Sequence, residues 1–250
     1  KDTGNYADGV IANEFTTFYQ AGMFIFSMGI AMQDNPIAFI DGLNNGTETF
    51  VGNEKFKQLC TWIDNEISYG INSTHTDFAT EVASFTSGSA PMMFGGSYSQ
   101  PSIDAVDANM NVGIYPFALT EDSAYNDYLY SYAGPIWHVN NAADKAAVAA
   151  AKDFLNWLAM EEEGQQWLGN GLKLVPCFTN FAVDENKIGV LGSTLKKYID
   201  EGKIRGTYNA LYPNGEGTAQ LLGEAVCKYA AGGYTVDEFL QAAQDIWTAN

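Results

Sequence analysis

Cysteine, histidine and basic residues are all scarce in this chain of 250 residues. The three cysteines, Cys60, Cys177 and Cys227, form no CxxC pair, so a zinc or redox motif has no support and at least one thiol stays unpaired within a monomer. The two histidines, His75 and His138, lie far apart without a neighbouring ligand pattern. We therefore expect no metal and no cofactor, and we expect the cysteines to be small buried side chains.

Lysine and arginine together number 12 against 30 acidic residues, which gives a formal net charge of -18. This charge disfavours nucleic acid and anionic membrane surfaces as partners, because both would be repelled. The sequence also lacks a signal-peptide pattern and an apolar run of about 18 residues, so we expect no membrane-spanning segment in it. Apolar residues still make up 46% of the chain, which is enough for the core of one or two globular units.

Residues 85–103 carry the most informative pattern in the chain. An apolar run of strand character, residues 91–94, ends in two glycines, which permit a close approach that a side chain would block. The polar and aromatic residues that follow at once are Ser97, Tyr98 and Gln100. Such a set at a strand end is typical of a pocket for a polar, uncharged ligand. An ordinary strand-turn-helix junction with Tyr98 in the core would give the same pattern.

Several helices are marked by capping residues and by apolar spacing. The caps are Asn53 before a helix from Glu54 to about Glu66, Asp77, Asp144 before a helix from Lys145 to Met160, and Thr235 in a capping box with Glu238. Apolar residues between positions 15 and 23 recur at helical spacing and predict a buried helix face. The glutamates at 161–163 would point in different directions on a helix, so we interpret them as a solvated turn rather than a catalytic pair.

Turn and strand signals occupy the stretches between these helices. The dipeptides Asp41-Gly42 and Asn45-Gly46 predict a surface hairpin or loop within residues 34–53. Residues 111–117 read as a strand, and residues 128–137, which are dense in aromatic residues, also have strand character. The rings of the second strand would serve equally to line a ligand site or to fill a core.

Three segments, taken in order, resemble one known family. Residues 91–98 end a strand in Gly-Gly-Ser-aromatic, residues 151–176 join a helix to Glu-Gly-Gln-Gln and a later Val-Pro, and the last segment carries the capping box before Phe-Leu. These motifs are similar to those of family 1 extracellular solute-binding proteins, the maltose-binding-protein-like receptors of ABC sugar importers. Tyr98 stands where that family usually has a tryptophan that stacks on a sugar, which leaves a smaller stacking face.

The resemblance implies an α/β, two-lobed periplasmic-binding-protein-like fold of type II. Because such receptors are considerably longer, we expect this chain to lack most of the N-terminal lobe. Residues 1–134 would form the main part of the C-terminal lobe, and residues 212–250 would add its last helices. Residues 135–211 would contain the hinge crossings and a segment that belongs to the N-terminal lobe.

The resemblance also implies capture of a carbohydrate in a cleft between lobes, without catalysis. Tyr98 would stack on the sugar, and Ser97 and Gln100 would bind its hydroxyl groups. Further expected ligand contacts are Trp137, Tyr132, Glu14 and Phe18. The expected partner is an ABC permease, and the expected state is a monomer. The protein would lie on the extracellular face of the membrane as a lipoprotein, or in the periplasm.

Two other functions stay open at this point. A glycoside-active enzyme would need two carboxylates about 5 to 10 Å apart across a cleft, and no pattern selects such a pair from the 30 acidic residues. A cell-surface adhesive or interaction module would explain the acidity and the aromatic residues but not the order of the three family motifs.

Overall fold

The computed structural model describes residues 6, 8–13, 15, 17–71, 77–119, 123–131, 137–175, 178, 181 and 184–250, with the backbone alone at 17–19 and 123–124. In chain order the α-helices are α1 (Phe26–Ala31), α2 (Pro36–Asn45), α3 (Glu54–Tyr69), α4 (Phe78–Thr86), α5 (Gln100–Asp107), α6 (Ser123–Asn126), α7 (Lys145–Met160), α8 (Glu162–Gln166), α9 (Gly189–Asp200), α10 (Glu216–Ala230) and α11 (Val236–Ala249). Wider π-helices cover Thr17–Ile25 and Trp167–Gly171, and 3₁₀ turns cover Ser97–Ser99 and Asn209–Leu211. The strands are β1 (Ile11–Ala12), β2 (Met92–Met93), β3 (Leu129–Ser131) and β4 (Ile204–Gly206).

The chain forms two compact units, each described here by itself. Unit 1 contains residues 1–94, 116–131 and 204–250, and unit 2 contains residues 95–115 and 132–203. In unit 1, β1 pairs in parallel with β2, and β3 pairs in parallel with β4. The predicted α/β class is confirmed in this helix-rich form with small sheets, whereas the type II, two-lobed arrangement and its boundaries stay predictions.

Aromatic side chains fill the core of unit 1 around Phe26. The centroid of its ring lies 5.3 Å from that of Phe50, 5.1 Å from that of Phe56 and 6.3 Å from that of Phe239. All three pairs meet edge to face or tilted rather than face to face, as the ring quadrupoles favour. Helices α1, α3 and α11 are therefore joined through one set of rings.

The first π-helix is fixed in unit 1 by its close packing along α10. A Cβ atom added to Gly22 would lie 1.9 Å from the carbonyl oxygen of Ala219, so only glycine fits at this crossing. The buried Tyr212 hydroxyl donates to the Gly22 carbonyl at 3.3 Å. The Cys227 thiol donates to the Phe15 carbonyl at 3.4 Å. The first two contacts fix the π-helix in place, and the third fixes Phe15, which lies in the chain between β1 and the π-helix.

Unit 2 is organised around the side chain of Gln100 at the start of α5. Its Oε1 accepts from the backbone N–H of Leu191 at 3.0 Å, and its Nε2 donates to Asp104 at 2.7 Å. Asp104 also forms an ion pair with Lys173. Gly189 has a φ of 80°, and a Cβ there would lie 2.6 Å from Gln100 Cγ. Gln100 thus fixes α5 to the first turn of α9.

The predictions based on helix caps are confirmed. Asn53, Asp77 and Asp144 each accept from backbone N–H groups in the first turn of α3, α4 and α7. Thr235 and Glu238 form the predicted capping box at the start of α11. Cys60 and Cys227 are buried free thiols, as expected, while Cys177 lies outside the described residues.

Four predictions of secondary structure are wrong or only partly right. Residues 36–45 form α2 instead of a hairpin, because Asn35 caps a helix and Gly46, at a φ of 77°, ends it. Residues 111–117 form no strand. The strand expected over 128–137 is limited to β3 within the described residues. The glutamates at 161–163 lead into the short helix α8 rather than forming a turn.

Within the described ranges, no single helix has both the length and the hydropathy needed to cross a membrane. The segments Gln20–Ala31 and Pro36–Asn45 meet that requirement only when taken together, and the chain bends by 105° between them.

Candidate functional site

Polar side chains lie near the carboxyl ends of β1 and β2 in unit 1. The backbone N–H of Phe94, just after β2, donates to the carbonyl of Ala12 at 3.1 Å. Asn13 follows Ala12 directly, and its Nδ2 donates to the carbonyl of Glu66 at 2.8 Å. Gln20, on the π-helix, donates from Nε2 to the carbonyl of Phe94 at 3.2 Å. In α/β proteins ligands bind preferentially at such carboxyl edges, so this edge is a candidate site.

Both amide side chains at this edge are buried. Asn13 is 2% exposed and Gln20 is 0% exposed. Each uses its nitrogen for the bond just described, while Asn13 Oδ1 and Gln20 Oε1 accept no hydrogen bond from the described residues. Nearly all buried polar atoms in proteins form hydrogen bonds, so two buried oxygens without a described donor are unusual.

Glu66 adds a titratable group next to this edge. Its side chain is half-buried near the end of α3. Burial raises the pKa of Glu66 to about 7, because the charged carboxylate loses solvation. The group is therefore partly protonated near neutral pH.

The predicted site segment of unit 2 lies in a 3₁₀ turn followed by α5. Tyr98 is 39% exposed, Ser97 is half-buried and Gln100 is only 4% exposed. The close approach that the double glycine predicted is made by Tyr98 itself, because a Cβ on Gly96 would lie 2.7 Å from its Cε1 atom. The turn therefore presents the Tyr98 ring, with the half-buried Ser97 next to it in the chain, while the Gln100 amide is engaged within unit 2.

The other predicted ligand contacts are placed as follows. Trp137 is 60% exposed, and its ring lies 6.1 Å from that of Phe154 on α7. Glu14, Tyr132 and the side chain of Phe18 lie outside the described residues. The structure thus brings Ser97, Tyr98 and Gln100 into one segment, and it places Trp137 beside α7. Whether any of them contacts a ligand stays a prediction.

Gln20 was not among the residues predicted from the sequence, although its side chain bonds to the carbonyl just after β2. The available signal was a glutamine inside the otherwise apolar stretch 18–26. Such a residue must find a partner if its helix is buried. Among the described side chains, no group of three or more His, Cys, Asp or Glu residues is arranged to hold a metal ion.

In α/β proteins, polar groups at the carboxyl ends of strands commonly serve small-molecule binding. The comparison with protein families identifies the chain more closely. The model described as bacterial extracellular solute-binding protein matches residues 3–188. The chain therefore belongs to the bacterial extracellular solute-binding protein family, and the predicted resemblance to solute-binding proteins is confirmed. The comparison with curated proteins found no match.

Membership of this family establishes the general role of the chain. It is a substrate-binding protein that acts outside the cytoplasmic membrane, in the periplasm or on the extracellular face. The family implies a solute ligand and a transporter permease as partner, and its members are generally not enzymes.

Proposed function

We propose that this receptor captures a carbohydrate for an ABC importer, with Tyr98 as the stacking platform. The observation that carries the proposal is the exposed Tyr98 ring, held against Gly96 and preceded in the chain by the half-buried Ser97. An aromatic face covers the apolar C–H surface of a sugar ring, and a neighbouring hydroxyl binds its polar edge. The short 3₁₀ turn contains both an aromatic ring and a neighbouring hydroxyl group.

Gln100 has a supporting part in this proposal. Its contacts with Leu191 and Asp104 fix the start of α5, which follows the turn that carries Tyr98. A side-chain amide has two N–H donors, and the second one is assigned to a ligand hydroxyl. Trp137, Tyr132, Glu14 and Phe18 complete the proposed set of contacts.

The lobe assignment forms part of the same proposal. The aromatic residues of α7, including Phe154 and Trp157, lie in a helix whose only buried residue is Leu158. Neighbouring aromatic side chains that stay partly exposed often mark a surface that another part of the protein covers. This exposure supports the assignment of residues 135–211 to an N-terminal lobe that covers α7, with closure of the two lobes about the ligand as the resemblance implies.

The proposal also covers the charge of the ligand, the oligomeric state of the receptor and its location. A net charge of -18 suits a neutral ligand, because an anionic sugar would be repelled. The receptor acts as a monomer, anchored as a lipoprotein on the extracellular face or free in the periplasm, and it delivers its ligand to an ABC permease.

A thermal-shift screen followed by isothermal titration tests the proposal. The protein would be screened against neutral mono- and oligosaccharides, polyols, amino acids, dipeptides and aryl glycosides. We expect one neutral sugar to bind with a dissociation constant in the micromolar range, about -8 kcal/mol. Binding of peptides or amino acids alone would contradict the carbohydrate assignment, and turnover of an aryl glycoside would favour an enzyme instead.

A further inference from the structure

A groove in unit 1 lies between the end of α3, the end of α10 and the start of α11. Its volume is about 420 Å³, within the range of roughly 300–1,000 Å³ that is usual for small-molecule sites. The described residues that line it all belong to unit 1, whereas the Tyr98 segment belongs to unit 2. The lining includes Asp64, Ile67, Tyr229, Tyr234, Thr235 and Val236. The groove is therefore formed by elements other than those that carry Tyr98.

Contacts within unit 1 fix the shape of this groove. The Tyr229 hydroxyl donates to the two carboxylate oxygens of Asp64, at 2.9 and 3.0 Å, and so joins α10 to α3. The Tyr229 ring stacks on that of the fully buried Phe239, with 5.3 Å between the centroids. The capping box of Thr235 and Glu238 fixes the first turn of α11. A ligand would therefore meet a preorganised groove, which lowers the entropic cost of binding.

Two hydroxyl groups of the groove already donate to carboxylates. The Tyr229 hydroxyl donates to Asp64, and the Thr235 hydroxyl donates to Glu238 at 2.9 Å. An ionised carboxylate has about four acceptor positions, and the single Tyr229 hydrogen fills only part of this capacity at Asp64, which is exposed. The groove therefore suits a ligand that donates hydrogen bonds.

Other side chains of the groove are apolar or aromatic. Ile67, Tyr234 and Val236 are half-buried, pack on the core of unit 1 and line the groove. Contact with a hydrocarbon chain would remove more of their apolar surface from water. An acceptor beside such surface fits a ligand with a polar head and an apolar stem, which is how lysine and arginine side chains lie on protein surfaces.

The charges at the groove indicate the sign of that polar head. Asp64 lines the groove and Glu238 contacts its Thr235, while the ammonium group of Lys228 lies 4.0 Å from the centroid of the Tyr234 ring. The sum of these three charges is negative, as is the net charge of -18 of the whole chain. Anions would thus be repelled and cations attracted.

We propose that this groove binds a small organic cation, an ammonium or guanidinium group on an apolar stem, with Asp64 as its counter-ion. Ile67, Tyr234 and Val236 contact the stem. The inference goes beyond the proposed function and does not rest on it.

Two-dimensional amide NMR of the intact chain tests the inference with four matched probes. The probes are n-pentylammonium, methylammonium without the stem, 1-pentanol without the charge, and pentanoate with the opposite charge. The variant Asp64→Asn removes the charge and keeps an oxygen that can accept from Tyr229. Its control is Asp41→Asn, because Asp41 is an exposed aspartate on α2 outside the lining residues. Circular dichroism checks folding, and Val236→Ala is a second variant that leaves the bond between Asp64 and Tyr229 in place.

We expect n-pentylammonium to bind the parent with a millimolar dissociation constant and to shift amide signals within residues 64–68 and 229–236. The constant should rise at least about fivefold in Asp64→Asn and about twofold in Val236→Ala, and it should stay the same in Asp41→Asn. The other three probes should bind at least about fivefold more weakly, because each lacks the stem or the positive charge.

Three outcomes would overturn the inference. They are binding of 1-pentanol or pentanoate as tight as that of n-pentylammonium, an unchanged constant in Asp64→Asn, and the lack of any shift within the two segments of the groove. None of them would affect the carbohydrate proposal, which is tested through Tyr98 in unit 2.

Discussion

Glu66 shows how the environment of one side chain links stability to pH. Its pKa is raised to about 7 by burial, whereas an unfolded glutamate titrates near 4.3. The folded state therefore binds the proton more tightly than the unfolded state does. The contribution of Glu66 to the free energy of unfolding is therefore full below about pH 4.3 and is lost as the pH rises through about 7.

Replacing this carboxyl with an amide should remove that dependence. We expect Glu66→Gln to be more stable than the parent by about 1–3 kcal/mol at about pH 8, and the difference to vanish near pH 4. Urea unfolding followed by circular dichroism at both pH values measures it. Glu54→Gln is the control, because Glu54 is exposed and, among the described residues, forms its ion pair with Lys57. Equal stability of Glu66→Gln and the parent at pH 8 would show that Glu66 is solvated.

The helices and strands of unit 1 depend on the crossing of the π-helix with α10. Gly22 and Ala219 approach so closely at this crossing that a methyl group has no space. Since interiors are close-packed, the two helices would have to move apart to admit it. The crossing also supports Gln20 and, through it, the end of β2.

The change Gly22→Ala should therefore be strongly destabilising. We expect a loss of about 3 kcal/mol or more in the free energy of unfolding, measured by urea denaturation. Gly169→Ala is the matched control in the second π-helix, because an added Cβ there would meet no atom of the described residues within 4 Å. That control should be neutral or gain about 0.5–1 kcal/mol. Similar results for the two variants would argue against the close crossing.

Local signals predicted much of this architecture, and tertiary contacts decided the rest. Asn53 and Asp144 revealed the starts of α3 and α7, because a cap acts through bonds to the next two or three residues. Asn45-Gly46 was misread, since the same left-handed glycine ends a helix or turns a hairpin according to what precedes it. The residues 111–117 alternate suitably for a strand, but strand pairing depends on distant partners that no local pattern shows.

One part of the candidate site could be predicted from the sequence, and the other part could not. The Tyr98 segment was visible in the sequence because its glycines and its aromatic residue are adjacent. Gln20 could not be selected from the sequence, because its role depends on a hydrogen bond to Phe94, which is 74 residues away in the chain. The hydrogen bond from the Leu191 backbone to Gln100 could not be predicted for the same reason.

The net charge of the chain should make folding stability depend on salt, whereas the affinity for a neutral ligand should not. A net charge of -18 produces repulsion within the folded protein, which salt screens. Capture of a neutral sugar involves no change in charge and should not respond to salt.

Raising sodium chloride from about 20 to 500 mM should increase the melting temperature by about 2–4 °C. Over the same range the dissociation constant for the bound sugar should change less than about twofold. Scanning calorimetry and titration measure the two quantities on the same sample. Binding that weakens steeply with salt would indicate a charged ligand and contradict the neutral-solute account.

The most direct measurement is a titration of the sugar found in the screen against the parent, Tyr98→Ala and Tyr115→Ala. Tyr115 is a matched control, because it is another tyrosine of unit 2 and is 84% exposed. We predict a dissociation constant at least about tenfold higher for Tyr98→Ala, which corresponds to about 1.4 kcal/mol, and no change for Tyr115→Ala. Equal affinity of Tyr98→Ala and the parent would contradict capture by stacking on Tyr98.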